Sequence, residues 1–261
     1  MAMVREVMKN NAAACSLTDL HTHILPSFDD GAKNLKQSLH MLCVQKESGV
    51  DRVVLTPHYY PLWEDVTSFV DRRQCAYSAL LSQWDAETMP QLRLGAEVCY
   101  TPQLVQMDLT ALTMGESRYL LLELPDTGIP VCVEQVVYSL LLQGIVPILA
   151  HVERCAYFRA EPAELERLVR MGALAQVDAR AVLKKSGDSF AKTCFKKELA
   201  QILASDAHNL VDRRPCLTDA FVEQNAERME KAEKFAYAVW ENTTPPAFEI
   251  QSIRKGIFGY R

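Results

Sequence analysis

The sequence predicts an α/β fold, a roughly seven-stranded (β/α) barrel, on three observations. Short apolar segments alternate with longer stretches of helical spacing throughout the chain, and such alternation implies a mostly parallel sheet joined by helical crossovers. Seven strand-like segments can be placed, which suits a closed or nearly closed barrel better than a two-layer sheet; an open doubly wound sheet is the alternative. The 261 residues suffice for one such unit, since barrels use about 250 residues as a single domain.

In chain order, residues 1–15 carry Arg5 and Lys9 and then only a short alanine-rich run. That apolar core is too weak for a secretory signal, so the segment reads as a frayed extension. Strands are expected at 17–20, 52–55, 92–96, 119–122, 146–150, 173–177 and 201–204, each apolar and each ending in polar residues. Between the first two, the segment 35–47 places Leu35, Leu39, Leu42 and Cys43 on one helical face. The most hydrophobic region, 131–152, contains Glu134, Gln135 and Gln143 and is split by Gly144 and Pro147. It therefore reads as a helix followed by a buried strand, not as a membrane span. A further helix is expected at 161–171, with Leu165, Leu168 and Val169 on its apolar side, and a long one from 215 to 242, ended by Pro245 and Pro246. The resulting organisation is an extension at 1–15, a single domain at 16–242 and a C-terminal tail at 243–261, whose basic and aromatic end, 254–261, reads as mobile in preference to a docking or oligomer contact.

Composition sets bounds without naming a function. Hydrophobic residues at 49% and charged residues at 23% describe a globular chain, not a disordered one. The net charge of -5 argues against a surface built to neutralise nucleic-acid phosphates. Eight cysteines are scattered singly with no C-x-x-C pair, which points to reduced thiols and a cytoplasmic protein. There is no G-x-G pair, no cysteine followed six positions later by arginine, and no G-x-S-x-G. Dinucleotide, P-loop, cysteine-phosphatase and serine-hydrolase chemistries are thereby disfavoured.

The informative pattern lies at the C-terminal strand ends, where barrels carry their catalytic groups. The first strand runs into His21-Thr22-His23, the second into Thr56-Pro57-His58, the third into Glu97 and the fourth into Glu123. His151 follows the fifth and Asp206-Ala207-His208 the seventh, so five of the six histidines stand at such ends. Gathered on one rim, these groups would be costly to bury unless divalent cations compensated them. The period of two puts both rings of His21-x-His23 on one face, and likewise Asp206 with His208. Imidazole and carboxylate without thiolate suit manganese, zinc or iron, and are too rich in nitrogen for calcium. Asp30, in the Asp29-Asp30-Gly31 turn, is either a further ligand or part of an ordinary turn. Arg154 and Arg214 stand in loops of the same rim, where an arginine fork would hold phosphate oxygens or pair with nearby acids.

Taken in order, His21-x-His23, Asp29-Asp30-Gly31, Thr56-Pro57-His58, Gly95-Ala96-Glu97, Leu122-Glu123, His151-Val152-Glu153-Arg154 and Ser205-Asp206-Ala207-His208 are a specific set. From about Ser16 to the C-terminus, through the stretch 255–259, the chain resembles the PHP (polymerase and histidinol phosphatase) superfamily, and within it the bacterial tyrosine-protein phosphatases of the CpsB/YwqE type. The resemblance implies a distorted TIM-like barrel of the PHP type carrying three metal ions, usually manganese. It implies one ion on His21, His23, Glu97 and Asp206, a second on Glu97, Glu123 and His151, and a third on Asp30, His58 and His208. Arg154 and Arg214 would bind phosphate. The implied activity is hydrolysis of phosphotyrosine on the tail of a bacterial tyrosine autokinase controlling capsule or exopolysaccharide synthesis, with histidinol-phosphate phosphatase as the alternative. Whether the chain forms a homo-oligomer is left open. Val152 and the loop between His208 and Arg214 depart from the family pattern, and the wall around Asp178 is unlike it.

Overall fold

The structure is a computed structural model and describes residues 16–183, 188–256 and 259–260. The expected extension at 1–15, and Ile257 and Phe258 of the C-terminal motif, lie outside the described residues.

In chain order the elements are β1 (Leu17–Thr22), α1 (Leu35–Glu47), β2 (Val50–Leu55), β3 (His58–Tyr59), α2 (Val66–Leu81), β4 (Gln91–Leu94), β5 (Glu97–Cys99), β6 (Tyr119–Glu123), α3 (Val133–Leu142) and β7 (Val146–Leu149). They continue with α4 (Ala156–Ala160), α5 (Pro162–Met171), β8 (Leu174–Asp178), α6 (Ala179–Val182), α7 (Ser189–Lys196), β9 (Ile202–Ala204), α8 (Leu217–Glu223) and α9 (Ala226–Trp240). A short hairpin, β10 (Lys255–Gly256) with β11 (Gly259–Tyr260), closes the chain.

Side-chain caps set several helix starts. Asn34 accepts the Gln37 amide before α1, Asp65 the Ser68 amide before α2, and Asp188 those of Phe190 and Ala191 before α7. Helix α5 begins with Pro162, whose missing donor is not needed in the first turn, and ends at Gly172 with φ 119°.

Strands β1 to β9 pair only in parallel, in two sheets of order β1-β2-β4 and β3-β5-β6-β7-β8-β9. Strands β1 and β8 are buried along their whole length, as parallel strands covered on both faces are. The two sheets meet in two places. Asp206 N donates to His21 O at 3.0 Å and His23 N to Ala207 O at 2.9 Å, which joins the end of β1 to the chain leaving β9. On the other side, Gly95 N reaches Leu55 O at 2.8 Å and Glu97 N reaches Pro57 O at 3.0 Å. Pro57 has no amide to donate, so the second expected strand stops at Leu55 and resumes at His58. The third expected strand, 92–96, is likewise divided at Gly95-Ala96 into β4 and β5.

Two buried clusters result. Leu20, Val54, Leu121, Ile148, Leu174 and Ile202 of the strands pack with Phe235, Val239 and Trp240 of α9, while the helices bury a larger apolar shell around the sheets. The expected helix at 215–242 is two, because the Asn225 side chain caps the Arg228 amide and starts α9 afresh. The tail is docked, not free. Tyr119 Oη donates to Thr243 O at 2.9 Å, Gln251 N to Lys197 O at 2.9 Å, and the Tyr260 ring lies 4.8 Å from that of Phe190. Its described aromatic residues, Phe248 and Tyr260, find apolar partners, which offsets the entropy of ordering a terminus. Among the described residues, no helix is long and apolar enough to cross a membrane.

Candidate metal centre

All nine expected ligands come together on one rim: His21 and Glu123 near the ends of β1 and β6, His23, His151, Asp206 and His208 just beyond β1, β7 and β9, His58 and Glu97 at the first residues of β3 and β5, and Asp30 in the loop after β1. They form four overlapping groups: His23, Asp30, His58 and His208; His21, Glu97 and His151; His21, His23 and Asp206; and His58, Glu97 and Glu123. Most of these side chains are buried, Asp30 being the exposed member. His151 and Asp206 have φ of 29° and 49°, a region that costs a non-glycine residue about 1–3 kcal/mol and is found where side chains are aimed at a site. The His151 amide is held by Gln176 Oε1 at 3.0 Å, and the Asp206 amide by the β1 carbonyl of His21.

Two imidazoles are oriented from behind. His21 Nδ1 lies 3.1 Å from Gln176 Oε1, and His23 Nδ1 lies 2.8 Å from Asp29 Oδ2. Both partners are acceptors, so each Nδ1 donates its proton outward and each Nε2 faces inward, open to a cation once its own proton leaves. The two Nε2 atoms are 3.1 Å apart, Glu97 Oε2 is 3.2 and 3.1 Å from them, and Asp206 Oδ1 is 3.4 and 3.5 Å from them. Ligands about 2.0–2.1 Å from a tetrahedral ion stand roughly 3.3 Å apart, so His21, His23 and Asp206 have the spacing of donors to one divalent cation, with Glu97 beside both imidazoles. Asp206 Oδ1, His208 Nε2 and His58 Nδ1 are buried atoms with no hydrogen-bond partner, the condition a cation would relieve. His208 follows the same rule: its Nδ1 is 3.0 Å from the Asp206 carbonyl, which leaves Nε2 facing Asp30 Oδ1 at 3.3 Å.

The electrostatics agree. Burial alone would discharge His21, His23 and His151, but the carboxylates of Glu97, Asp206 and Asp29 outweigh it. They hold all three above the usual imidazole value, His151 up to about 9. Burial would likewise neutralise Glu97, yet His21, His151 and His23 keep it well below the carboxylate range. Burial and then the Glu97 charge push Glu123 up to about 7. Burial and the His23 charge lower His208 to about 3. Without ions, protons supply the positive charge that the carboxylates require, and a cation displaces them.

One expected residue stands elsewhere. Arg214 is half exposed and donates to Asp219 Oδ2 at 2.6 Å and to the Pro215 carbonyl. Its neighbour Arg213 turns inward, 2.6 Å from Asp206 Oδ2 and 3.5 Å from Asp30 Oδ2. The loop causes the exchange: His208 N donates to Arg213 O at 2.8 Å, and Asn209 Oδ1 accepts the amides of Val211 and Arg213. This tight turn carries Arg213 back over the cluster. Arg154 is where it was expected, in contact with Asp206 Oδ2 and 2.6 Å from Asp178 Oδ2.

Three residues behind the ligands escape a sequence reading: Gln176, Asp29 and Asp178. Gln176 lies inside an apolar strand, where a buried amide signals an obligatory partner. Asp29 looks like a turn residue until its second role, accepting the His58 amide at 3.1 Å, is seen. Asp178 ends β8, the one expected strand without an assigned ligand, and its Oδ1 is buried and unpartnered.

Comparison with known proteins gives a consistent set of similarities. The family model described as capsular polysaccharide synthesis, CpsB/CapC, matches residues 17–243. CapC of Staphylococcus aureus is 30% identical over 211 residues, 78% of this chain and 82% of that protein. The tyrosine-protein phosphatase YwqE of Bacillus subtilis is 30% identical over 204 residues, 76% and 79% of the two chains. The tyrosine-protein phosphatase CpsB of Streptococcus pneumoniae is 26% identical over 221 residues, 78% and 88%. A chain from the crystal structures of YwqE from Bacillus subtilis and CpsB from Streptococcus pneumoniae, described as unique metal-dependent tyrosine phosphatases, superposes with a TM-score of 0.81 at 25% identity. That superposition covers 91% of this chain and 100% of the other.

Proposed function

Because the chain belongs to the CpsB/CapC family of capsular polysaccharide synthesis, we propose that it is a metal-dependent protein tyrosine phosphatase. Its substrate on this reading is the phosphotyrosine tail of a bacterial tyrosine kinase that governs capsule or exopolysaccharide assembly. The observation that carries the proposal is the inward-facing Nε2 pair of His21 and His23, with Asp206 Oδ1 at 3.4 and 3.5 Å and Glu97 Oε2 at 3.2 and 3.1 Å.

His21, His23, Glu97 and Asp206 would hold one ion; Glu97, Glu123 and His151 a second; Asp30, His58 and His208 a third. Manganese is the preferred metal, because nitrogen and oxygen donors without thiolate also admit iron or zinc but exclude a calcium site. Such ions supply a nucleophile near neutrality by lowering the pKa of bound water, and they neutralise phosphoryl charge. Gln176 and Asp29 orient the imidazoles, and Glu97 serves two ion sites at once. Arg154 and Arg213, both near Asp206 Oδ2, face the phosphoryl oxygens with planar donors. Phenolate is a good leaving group, with a pKa of about 10, so no strong general acid is needed. On this reading the nine parallel strands amount to seven interrupted strands of one distorted barrel spanning 16–242, with 243–261 as its docked tail. All seven described cysteines are free, which supports a reducing, cytoplasmic setting.

The test is phosphate release from a phosphotyrosine peptide and from histidinol phosphate, with protein stripped by chelator and reloaded with manganese. Manganese-dependent preference for phosphotyrosine is expected. Preference for histidinol phosphate would keep the metal centre and overturn the substrate.

A further inference from the structure

Resting on the phosphotyrosine reading, we propose that Tyr60 and Trp63 form an aromatic shelf that receives the substrate's phenyl ring and selects aryl over alkyl phosphates. Side chains alternate along β3 and the residue after it, so His58 and Tyr60 share a face while Tyr59 turns away. Tyr59 is fully buried, its ring 4.9 Å from that of Phe69. Tyr60 instead stands beside the candidate ligand His58, with centroids 5.5 Å apart and planes 25° from parallel. Trp63 continues the row at 4.5 Å from Tyr60.

Trp63 is 80% exposed, more than any other large apolar side chain among the described residues. An exposed tryptophan contributes little to the fold, and clustered exposed aromatics mark binding surfaces. The segment that carries it is nevertheless fixed. Trp63 N and Glu64 N both donate to Tyr60 O, Tyr59 Oη donates to Glu64 O at 3.2 Å, and Arg72 pairs with the Glu64 carboxylate. A preorganised ring loses little entropy when a partner stacks on it.

The substrate supplies the complement. In phosphotyrosine the phenyl ring is bonded directly to the ester oxygen, so a phosphoryl group at the cluster brings that ring to the rim beside His58. Phosphoserine has no ring to offer there. Beyond Trp63 a shallow depression of about 510 Å³, bordered by Pro61, Leu62 and Met107, leaves room for residues flanking the phosphotyrosine.

The experiment compares manganese-loaded wild type, Trp63→Ala and Trp63→Tyr, because Tyr60 touches a candidate ligand and its replacement would disturb the metal. Kinetics on a phosphotyrosine peptide are measured together with metal content and inhibition by inorganic phosphate. Trp63→Ala should raise KM for the peptide about tenfold, the scale of one aromatic contact, with kcat changed less than about twofold. Metal content and phosphate inhibition should stay as in wild type, and Trp63→Tyr should restore most of the affinity. In parallel, a peptide carrying a non-hydrolysable phosphonate analogue of phosphotyrosine should change tryptophan fluorescence in wild type and not in Trp63→Phe. Unchanged KM in an active Trp63→Ala enzyme overturns the shelf and leaves the phosphatase standing. A wild type that hydrolyses no phosphotyrosine overturns the phosphatase reading, and the fluorescence then decides: no Trp63-dependent change overturns the shelf as well.

Discussion

Asp206 turns its two oxygens to two sets of partners. Its Oδ1 faces His21 and His23, while its Oδ2 takes Arg154 and Arg213. On the proposed reading, metal charge and phosphate-binding charge are coupled through this one carboxylate. From this follows a three-way comparison in which Arg154→Ala and Arg213→Ala each lower kcat/KM for a phosphotyrosine peptide about 10²–10³-fold, as loss of an oxyanion donor does. Arg214→Ala should stay close to wild type, and equal losses at 213 and 214 would contradict the geometry. The choice between two adjacent arginines was not legible in the sequence, because it depends on how the Asn209 side chain curls the loop. The cluster itself was legible, since ionisable groups that follow successive expected strands betray themselves by position. Asp29 and Gln176 were not, because their contacts, Asp29 with His23 and the His58 amide and Gln176 with His21 and the His151 amide, are made only by the fold.

The same residues set a pH dependence. Without metal, Glu123 titrates at about 7 and His151 at about 9, and both must lose a proton to bind a cation. Below those values a proton competes with the metal, and above them it does not. Apparent manganese affinity should therefore rise between pH 6 and pH 9, by roughly tenfold per displaced proton per pH unit. Calorimetry in buffers of different ionisation enthalpy reads the released protons directly, and a flat affinity between pH 6 and 9 would count against these ligands.

At the scale of elements, the turn after β1 is the most constrained piece. A Cβ on Gly31 would lie 2.0 Å from the His23 carbonyl oxygen, and that oxygen already accepts the Ala32 amide. Backbone cannot yield as a side-chain tip does, so Gly31→Ala should push the turn outward and take Asp29 from His23 and Asp30 from His208. About 1–3 kcal/mol of stability should go with it, together with part of the bound metal, measurable by urea unfolding and elemental analysis. Full metal content in this variant would mean that the turn has no part in ion binding. Helix α1 was legible to its ends, its cap and apolar spacing both being local. The interruptions at Pro57 and Gly95 were not, because a broken strand shows itself only in the ladder it fails to continue. The docked tail escaped for a similar reason, since its partners Tyr119, Phe190 and Lys197 are distant in sequence.

Across the whole molecule, the parallel strands drive their ends toward one rim, and the helices bury the apolar remainder. Strain at His151 and Asp206, and the unpartnered atoms beside them, persist because the surrounding strands over-determine their positions. Such an arrangement is costly as a purely structural core and economical as an ion cradle. The most direct measurement is a manganese titration of chelator-stripped protein, with metal occupancy and phosphotyrosine turnover read in the same samples, for wild type and for His21→Ala. Turnover that rises in step with occupancy in wild type, and a variant that loses both, is the predicted result. Full turnover without bound metal, or unchanged occupancy and activity in His21→Ala, would contradict it.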